Sequence, residues 1–237
     1  MQDARGSRFI EADFSGSQFR GVDFSNVKIS DAWLVDVDIS GHVAGVTING
    51  VDVTDFVEQQ LDDRYPIRKL LTAADPDGMR TAWSALEQGA AETVEHARRL
   101  PAALLDESVD EEWSFLQTLR HLIYATDRWI TGPVLAELEP VHALGMPNPP
   151  YEDLPPGVFD LDACPTLAEV LVVRHGRMNA VKNYVGDVSA DQLDREVSSP
   201  NGGKTTVRRC LHVVFREEWW HNQYAIRDLT VLERRLP

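Results

Sequence analysis

The chain has 237 residues, of which 43% are apolar, and a net charge of −15 at pH 7. This length allows one large domain, or a small domain beside a medium one, with a real hydrophobic core. The negative charge argues against nucleic acid and anionic membranes as partners, because neither would find a basic surface on this protein.

No segment has the pattern of a membrane span or of an export signal. No apolar run approaches the length of a transmembrane helix, and the first nine residues lack the apolar core of a signal peptide. The two cysteines, Cys164 and Cys210, are far apart and do not have metal-motif spacing. These features predict a cytoplasmic protein with reduced thiols, in which Cys210 is a small buried apolar residue.

The first fifty residues carry a large apolar side chain at every fifth position. Neither a helix nor a flat strand has this period, whereas a right-handed quadrilateral β-helix has one large inward residue on each side of a square coil. We therefore predict a short β-helix of this kind over residues 1–53, with a register shift of one residue near Gly41–Gly45. The large residues are Phe9, Phe14, Phe19, Phe24, Ile29, Leu34 and Ile39.

This tract resembles the pentapeptide-repeat family, whose motif is A(D/N)(L/F)xx. Residues 12–16 match the motif in full, and residues 22–26 and 37–41 match it closely. The resemblance covers roughly a fifth of the chain and implies the same square-coil fold. At two or three coils, the tract is too short to imitate a useful length of DNA duplex.

Residues 54–78 are predicted to form a structured connector, since they keep apolar residues and lack runs of glycine and serine. A short helix is predicted over residues 55–61, with Thr54 as its N-cap. The Tyr65-Pro66 pair and the turn-forming residues 75–78 follow this helix and are predicted to interrupt regular secondary structure.

From residue 79 the apolar residues recur at helical spacing. Thr166 is the predicted N-cap of the third helix, with Glu169 at the capping-box position, and Thr205 or Thr206 caps the fourth. Four helices with one long connection, residues 140–163, predict a four-helix bundle over residues 79–237, a fold in which metal sites come from facing helices. The predicted helices cover residues 79–100, 111–130, 166–185 and 205–229.

The fourth helix carries carboxylates and an imidazole near its core-facing stripe. At about 100° per residue, His221 lies beside Val214 and Ala225, with Glu217 and Glu218 one turn earlier. Such groups are costly on a buried face unless they are paired or bind a metal. Glu217 and His221 are four residues apart and can reach one point, which suits zinc or another divalent metal. The alternative is a buried Glu–His hydrogen bond without a metal.

A third ligand has to come from another helix, and helical spacing leaves several candidates. His212 is excluded because it lies about 180° from His221 around their helix. The neighbours of His121 are small or polar, which is typical of an exposed histidine or of a cavity wall beside an open metal site. The other histidines are His96 and His175 on predicted helices, His142 in the long connection and His42 in the repeat tract.

Residues 119–122 (Leu-Arg-His-Leu), together with the Glu217-x-x-x-His221 pair, resemble the DinB-like metal-binding four-helix bundles. These include the mycothiol-dependent maleylpyruvate isomerases and related thiol S-transferases. The resemblance covers about two-thirds of the chain, and it implies that His121, Glu217 and His221 are the metal ligands, with Glu218 as the alternative carboxylate. It further implies that the metal is zinc or nickel.

The same resemblance implies a metal-dependent transferase or isomerase that joins a low-molecular-weight thiol, mycothiol or bacillithiol, to a small electrophile. Arg174 and Arg177, on the predicted third helix, would bind a substrate carboxylate or be solvated at the surface. The Trp219-Trp220 pair replaces smaller or basic residues of the isomerases and would reshape the pocket. The alternative function is a non-enzymatic interaction protein with a structural or vestigial metal site. Exposed Trp and Tyr side chains would allow a homodimer without requiring one.

Overall fold

The computed structural model describes residues 3–19, 21–41, 43–149, 151 and 154–236. The chain divides into two compact units, Met1–Val46 and Thr47–Pro237. The finer predicted division, with boundaries after residues 53 and 78, stays a prediction. None of the helices in the described part of the chain combines the length and apolar character that crossing a bilayer requires.

The first unit bends at every fifth residue. Eight residues with positive φ follow one another at five-residue intervals, and each lies in a turn or bend. Glycine, asparagine and aspartate tolerate the left-handed conformation best, and they fill seven of the eight positions. The backbone therefore repeats with the period predicted from the apolar residues. The eight are Gly6, Glu11, Gly16, Gly21, Asn26, Asp31, Asp36 and Gly41.

Side-chain hydrogen bonds and ring contacts accompany these turns. The carboxylate of Asp13 accepts a hydrogen bond from the backbone N–H of Ser15 at 2.9 Å, an arrangement that stabilises a tight turn. The rings of Phe9, Phe14, Phe19 and Phe24 meet edge to face, with successive centroids 5.5, 5.7 and 5.5 Å apart. The strands among the described residues begin only at Thr47, so the predicted β-helix is not confirmed.

The five-residue period ends at Gly41. The next left-handed residue among those described is Gly45, four positions later, which agrees with the predicted register shift. Asn49 and Gly50, with φ of 50° and 82°, then form a two-residue hairpin turn, because consecutive left-handed residues match the twist of the flanking strands. The paired strands are β1, Thr47–Ile48, and β2, Val51–Asp52.

The second unit is a helical bundle with short accessory elements. Its helices are α1, Thr54–Arg64; α2, Pro76–Ala97; α3, Phe115–Thr126; α4, Leu167–Asp187; α5, Ala190–Asp194; and α6, Val207–Glu233. The helices α2 and α3 each pack on both α4 and α6, so α2 and α3 occupy opposite corners of a four-helix arrangement. A hairpin leads into α6, and its strands are β3, Glu196–Ser198, and β4, Lys204–Thr206.

The first residues of the helices show where capping residues were sufficient to predict a helix start from sequence. Thr166 and Thr206 cap α4 and α6, as predicted. The prediction that Thr54 is an N-cap was wrong: Thr54 is the first residue of α1, and its N–H donates to Asp52 at 2.8 Å. Helix α3 begins four residues later than predicted, because Ser114 forms a reciprocal capping box at that point.

Helix α3 ends in a π-helical turn, Asp127–Thr131, that anchors the long connection. The buried carboxylate of Asp127 accepts a hydrogen bond from the His142 N–H at 2.9 Å and lies 2.5 Å from Arg177 Nε. Burial raises the pKa of Asp127, while these contacts oppose the rise. The connection is thereby fixed to α3 and α4.

The two cysteines are expected to differ sharply in reactivity. Cys210 is fully buried and burial raises the pKa of its thiol to about 11, whereas Cys164 is exposed. Because the thiolate is the reactive form, titration of the native protein with a disulfide reagent should detect one fast-reacting thiol. Unfolding should reveal the second, and the Cys164→Ser variant should show no fast phase. Two fast thiols in the native protein would contradict the burial of Cys210.

Candidate metal centre

Helices α3 and α6 bring His121, Glu217 and His221 together. One possible ligand atom from each residue lies within 4.8 Å of the other two. Glu217 Oε2 is 3.4 Å from His121 Nε2 and 3.5 Å from His221 Nδ1, and the two imidazoles stack with centroids 4.6 Å apart. His121 is only 3% exposed, which excludes the exposed histidine, one of the two alternatives that its helical neighbours left open.

The orientation of the His121 ring is fixed by the long connection. Its Nδ1 lies 2.9 Å from the carbonyl oxygen of Met146. Since a carbonyl can only accept, Nδ1 carries the proton and donates it, which leaves the lone pair of Nε2 directed towards Glu217. Metal-binding histidines are commonly oriented in this way by a hydrogen bond from the other ring nitrogen.

Arg120, the neighbour of His121, holds the connection in place. Its guanidinium is buried and donates hydrogen bonds to the carbonyl oxygens of Leu144 at 3.0 Å, Ala163 at 2.8 Å and Asp160. Burial lowers the pKa of Arg120, mainly by removing water from the charge. Arg120 and Met146 were missed in the sequence because their contacts join segments that are distant along the chain.

Ser114 sets the start of α3 and therefore the position of His121. Its hydroxyl accepts a hydrogen bond from the Gln117 N–H at 3.2 Å, and the Gln117 side chain accepts one from the Ser114 N–H at 2.9 Å. We expect Ser114→Ala to lower the free energy of unfolding by about 1 kcal/mol, the usual cost of losing an N-cap. Urea unfolding measures this. Ser114→Thr, which keeps the hydroxyl, should cost less, and equal losses would argue against the cap.

The environments of His221 and Glu217 favour the protonation states that bind metal. Burial, assisted by His121, lowers the pKa of His221 to about 4, against the opposing charge of Glu217. Burial opposes ionisation of Glu217, but its contacts with the imidazoles of His121 and His221 lower its pKa overall. A neutral imidazole and an ionised carboxylate are the forms that coordinate a cation.

Glu218 faces a different neighbour from Glu217. It is 3% exposed and pairs with Arg174 of α4, which is itself 2% exposed. Burial raises the pKa of Glu218, and Arg174 counteracts this. The alternative carboxylate thus lies outside the three-residue group. The interpretation of the two arginines as solvated surface residues was wrong, because Arg174 is buried and Arg177 pairs with the buried Asp127.

Aromatic rings surround the histidine pair. Trp113 lies 4.6 Å from the His121 ring and 6.1 Å from the His221 ring, between centroids. Tyr124 is 5.9 Å from His121, and Tyr224 is 5.8 Å from His221. Together these rings form the aromatic wall of the site. The side chain of Glu217, which is 33% exposed, leaves it open to solvent on one side.

The remaining predicted features do not belong to the three-residue ligand group. Trp219 packs against Tyr65 and Trp220 against Tyr224, with centroids 5.4 and 6.0 Å apart. In the described part of the chain, the other histidines join no three-residue ligand group. His96 contacts Glu233, His142 binds Asp127 through its N–H, His175 is exposed, and His212 donates to the Ala73 carbonyl. His42 lies outside the described residues.

Two known families match parts of the chain. Residues 85–225 match the DinB superfamily, which is more than half of the chain. The protein belongs to the DinB superfamily. Residues 5–41 also match eight copies of the pentapeptide repeat, so the two resemblances seen in the sequence are confirmed. No curated protein and no solved structure is significantly similar to the chain.

Metal binding is typical of the DinB superfamily, and the donor set of this member fits a divalent ion. Two imidazoles and one carboxylate suit zinc, and imidazole also suits nickel. The hydrogen bond from His121 to Met146 supplies the outer contact that such sites use. Three protein ligands are the number found in catalytic zinc sites, which keep a coordination position for substrate.

Proposed function

We propose that this DinB superfamily member binds zinc or nickel through His121, Glu217 and His221 and transfers or isomerises a small electrophile with the help of a low-molecular-weight thiol. The observation that carries this proposal is the meeting of two imidazoles and one carboxylate whose possible ligand atoms lie within 4.8 Å of one another. The family match supports metal binding as the shared property.

The residues around such a site would have different roles. When bound, the metal would lower the pKa of a thiol ligand and so supply a nucleophile at neutral pH. Glu217 contributes a negative charge that offsets the cation, and its exposed side leaves room for the thiol to approach. Trp113, Tyr124 and Tyr224 would contact the substrate and exclude water from its apolar parts.

The proposed thiol is mycothiol or bacillithiol, and the proposed second substrate is a small electrophile. The proposed location of the protein is the cytoplasm. Of the two arginines predicted to bind a substrate carboxylate, Arg177 keeps that role in the proposal, because its side chain is partly exposed, whereas Arg174 is buried and paired with Glu218. A homodimer is compatible with this function and is not needed for it, since all three ligands come from one chain.

For the repeat region we propose the square coil. Eight pentapeptide copies and eight regularly spaced left-handed residues would provide the corners of two coils with four sides each. The edge-to-face contacts of the four phenylalanines bring neighbouring sides of such a coil together, with the four residues 46–66% exposed.

Metal content and thiol dependence test the proposed function. Protein purified without a histidine tag should contain close to one equivalent of zinc or nickel, measured by elemental analysis. Mycothiol or bacillithiol should raise the melting temperature of the metal-loaded protein and should be consumed when 1-chloro-2,4-dinitrobenzene is added as a test electrophile. The His221→Ala variant should lose both responses.

The outcomes separate the two candidate functions. Stoichiometric metal without any response to either thiol would favour the interaction protein with a structural metal site. Negligible metal content, together with a melting temperature that does not respond to chelators, would rule out the metal centre itself.

A further inference from the structure

A deep cleft opens between α2 and α4. Its volume is about 510 Å³, within the range of small-molecule binding sites, and the space between bundle helices is a common place for such sites. Helices α3 and α6 form its floor, so the cleft reaches from the protein surface into the bundle. Its apolar lining includes Phe115, Leu119, Leu122, Leu171 and Met178.

Small residues on α2 keep the entrance open. Ala90 and Ala91 line the cleft where α2 faces α4. Larger side chains at these positions would fill the space between the two helices. Open space alone does not make a binding site, but the polar groups in the interior of the cleft point to a ligand.

Arg174 and Glu218 line the cleft, and both are incompletely hydrogen-bonded. They pair through Arg174 Nη2 and Glu218 Oε2. Nε and Nη1 of Arg174, and Oε1 of Glu218, have no hydrogen-bond partner among the described residues, although all three atoms are buried. Buried polar groups normally form hydrogen bonds, so the two free N–H donors of Arg174 and the free acceptor oxygen of Glu218 call for a partner. A ligand that carries a hydrogen-bond acceptor and a hydrogen-bond donor side by side would supply one for each residue.

The charges around the cleft argue against an ionic ligand. Lys182 and Glu87 pair at 3.0 Å, and Arg98 and Glu95 pair at 2.6 Å. Arg174 is balanced in the same way by Glu218. A carboxylate or an amine bound in the interior would add an unbalanced charge to a largely apolar space, which is costly.

We propose that the cleft binds a small uncharged amide with an apolar body. The amide oxygen accepts a hydrogen bond from Arg174, and the amide N–H donates one to Glu218 Oε1. The apolar body lies against Leu119, Leu122 and Leu171. Because His221 also lines the cleft, the bound amide lies beside the candidate metal centre, but its recognition uses neither the metal nor any of the other two ligands.

Three matched probes test this proposal on the full-length, metal-free protein. ε-Caprolactam, whose ring holds the amide C=O and N–H on the same side, should bind, measured by calorimetric titration. ε-Caprolactone, an ester of nearly the same shape but with no N–H, and hexanoate, which carries a charge, should each bind at least tenfold more weakly. Equal binding of the ester, tighter binding of hexanoate, or no binding of the amide would each overturn the proposal.

A variant at a residue outside the Arg174–Glu218 pair tests whether the amide binds in the cleft. Ala91→Trp, at an exposed position of the entrance, should weaken amide binding at least tenfold without disturbing the Arg174–Glu218 pair. Ala103→Trp is the control, since Ala103 is exposed and does not line the cleft. Unchanged amide binding in Ala91→Trp would overturn the assignment to the cleft. Zinc titration of the same proteins reports on the metal centre separately, so failure of one proposal is distinguishable from failure of the other.

Discussion

Replacing His121 with alanine is expected to lower the affinity for zinc or nickel by more than 100-fold. His121 is the only member of the group that comes from α3, and its loss leaves Glu217 and His221 on a single helix turn. The loss of an outer contact to a metal ligand already costs about 10–100-fold in affinity, and the loss of a direct ligand should cost more. Two remaining ligands also fall short of the three that catalytic zinc sites use.

The measurement is a zinc titration against a competing chelator, with untagged protein stripped of metal beforehand. His175→Ala is the matched control, because His175 is exposed on α4 and lies outside the group. Its affinity should equal that of the unmodified protein. Should His121→Ala and His175→Ala bind zinc equally well, the site would not depend on α3, and the proposed ligand set would be incorrect.

The two ligands on α6 were predictable from sequence, whereas the burial of His121 was not. Glu217 and His221 stand on one stripe of one helix, and helical spacing alone brings them together. The helical wheel of α3 shows only the neighbours of His121 on its own helix, which are small or polar. Its burial comes from Trp113 and Met146, which belong to a loop and to the long connection. Contacts of this kind are not encoded in a local period.

The choice between Glu217 and Glu218 also depends on a distant partner. The two carboxylates lie about 100° apart on α6, so both flank the buried stripe. Arg174 of α4 pairs with Glu218, which leaves Glu217 to face the histidines. Sequence spacing could place an arginine on α4 but could not show which carboxylate it meets.

The repeat region shows the opposite situation, in which the backbone is locally encoded. Glycine, asparagine or aspartate occupies seven of the eight corner positions, which are five residues apart, so the left-handed backbone at these corners follows from residue type. Pairing between coils is a long-range property, and eight repeats offer few neighbours for it. The turn period was therefore predictable, while the strands of a β-helix are not seen among the described residues of this region.

Replacing Arg174 with methionine is expected to destabilise the helical unit by about 3–5 kcal/mol. Both side chains of the Arg174–Glu218 pair are 3% exposed, so the substitution would leave the Glu218 carboxylate buried without a compensating charge. Removing one partner of a buried ion pair has this cost, because the remaining charge has lost its water without gaining a partner. Methionine keeps much of the apolar volume of the arginine stem, so lost packing contributes little to the effect.

The double variant Arg174→Met/Glu218→Met separates the cost of an unpaired buried charge from the cost of changing the side chain at position 174. Replacing a buried pair by apolar residues of similar volume is often close to neutral, so the double variant should recover most of the stability lost in Arg174→Met. Lys182→Met is the surface control: this lysine is 59% exposed and pairs with Glu87, and exposed pairs contribute about 0–1 kcal/mol. Urea unfolding followed by circular dichroism at 222 nm reports on the helical unit. If Arg174→Met unfolded at the same urea concentration as Lys182→Met, the pair would not be buried as described, and the cleft it lines would lose its polar recognition site.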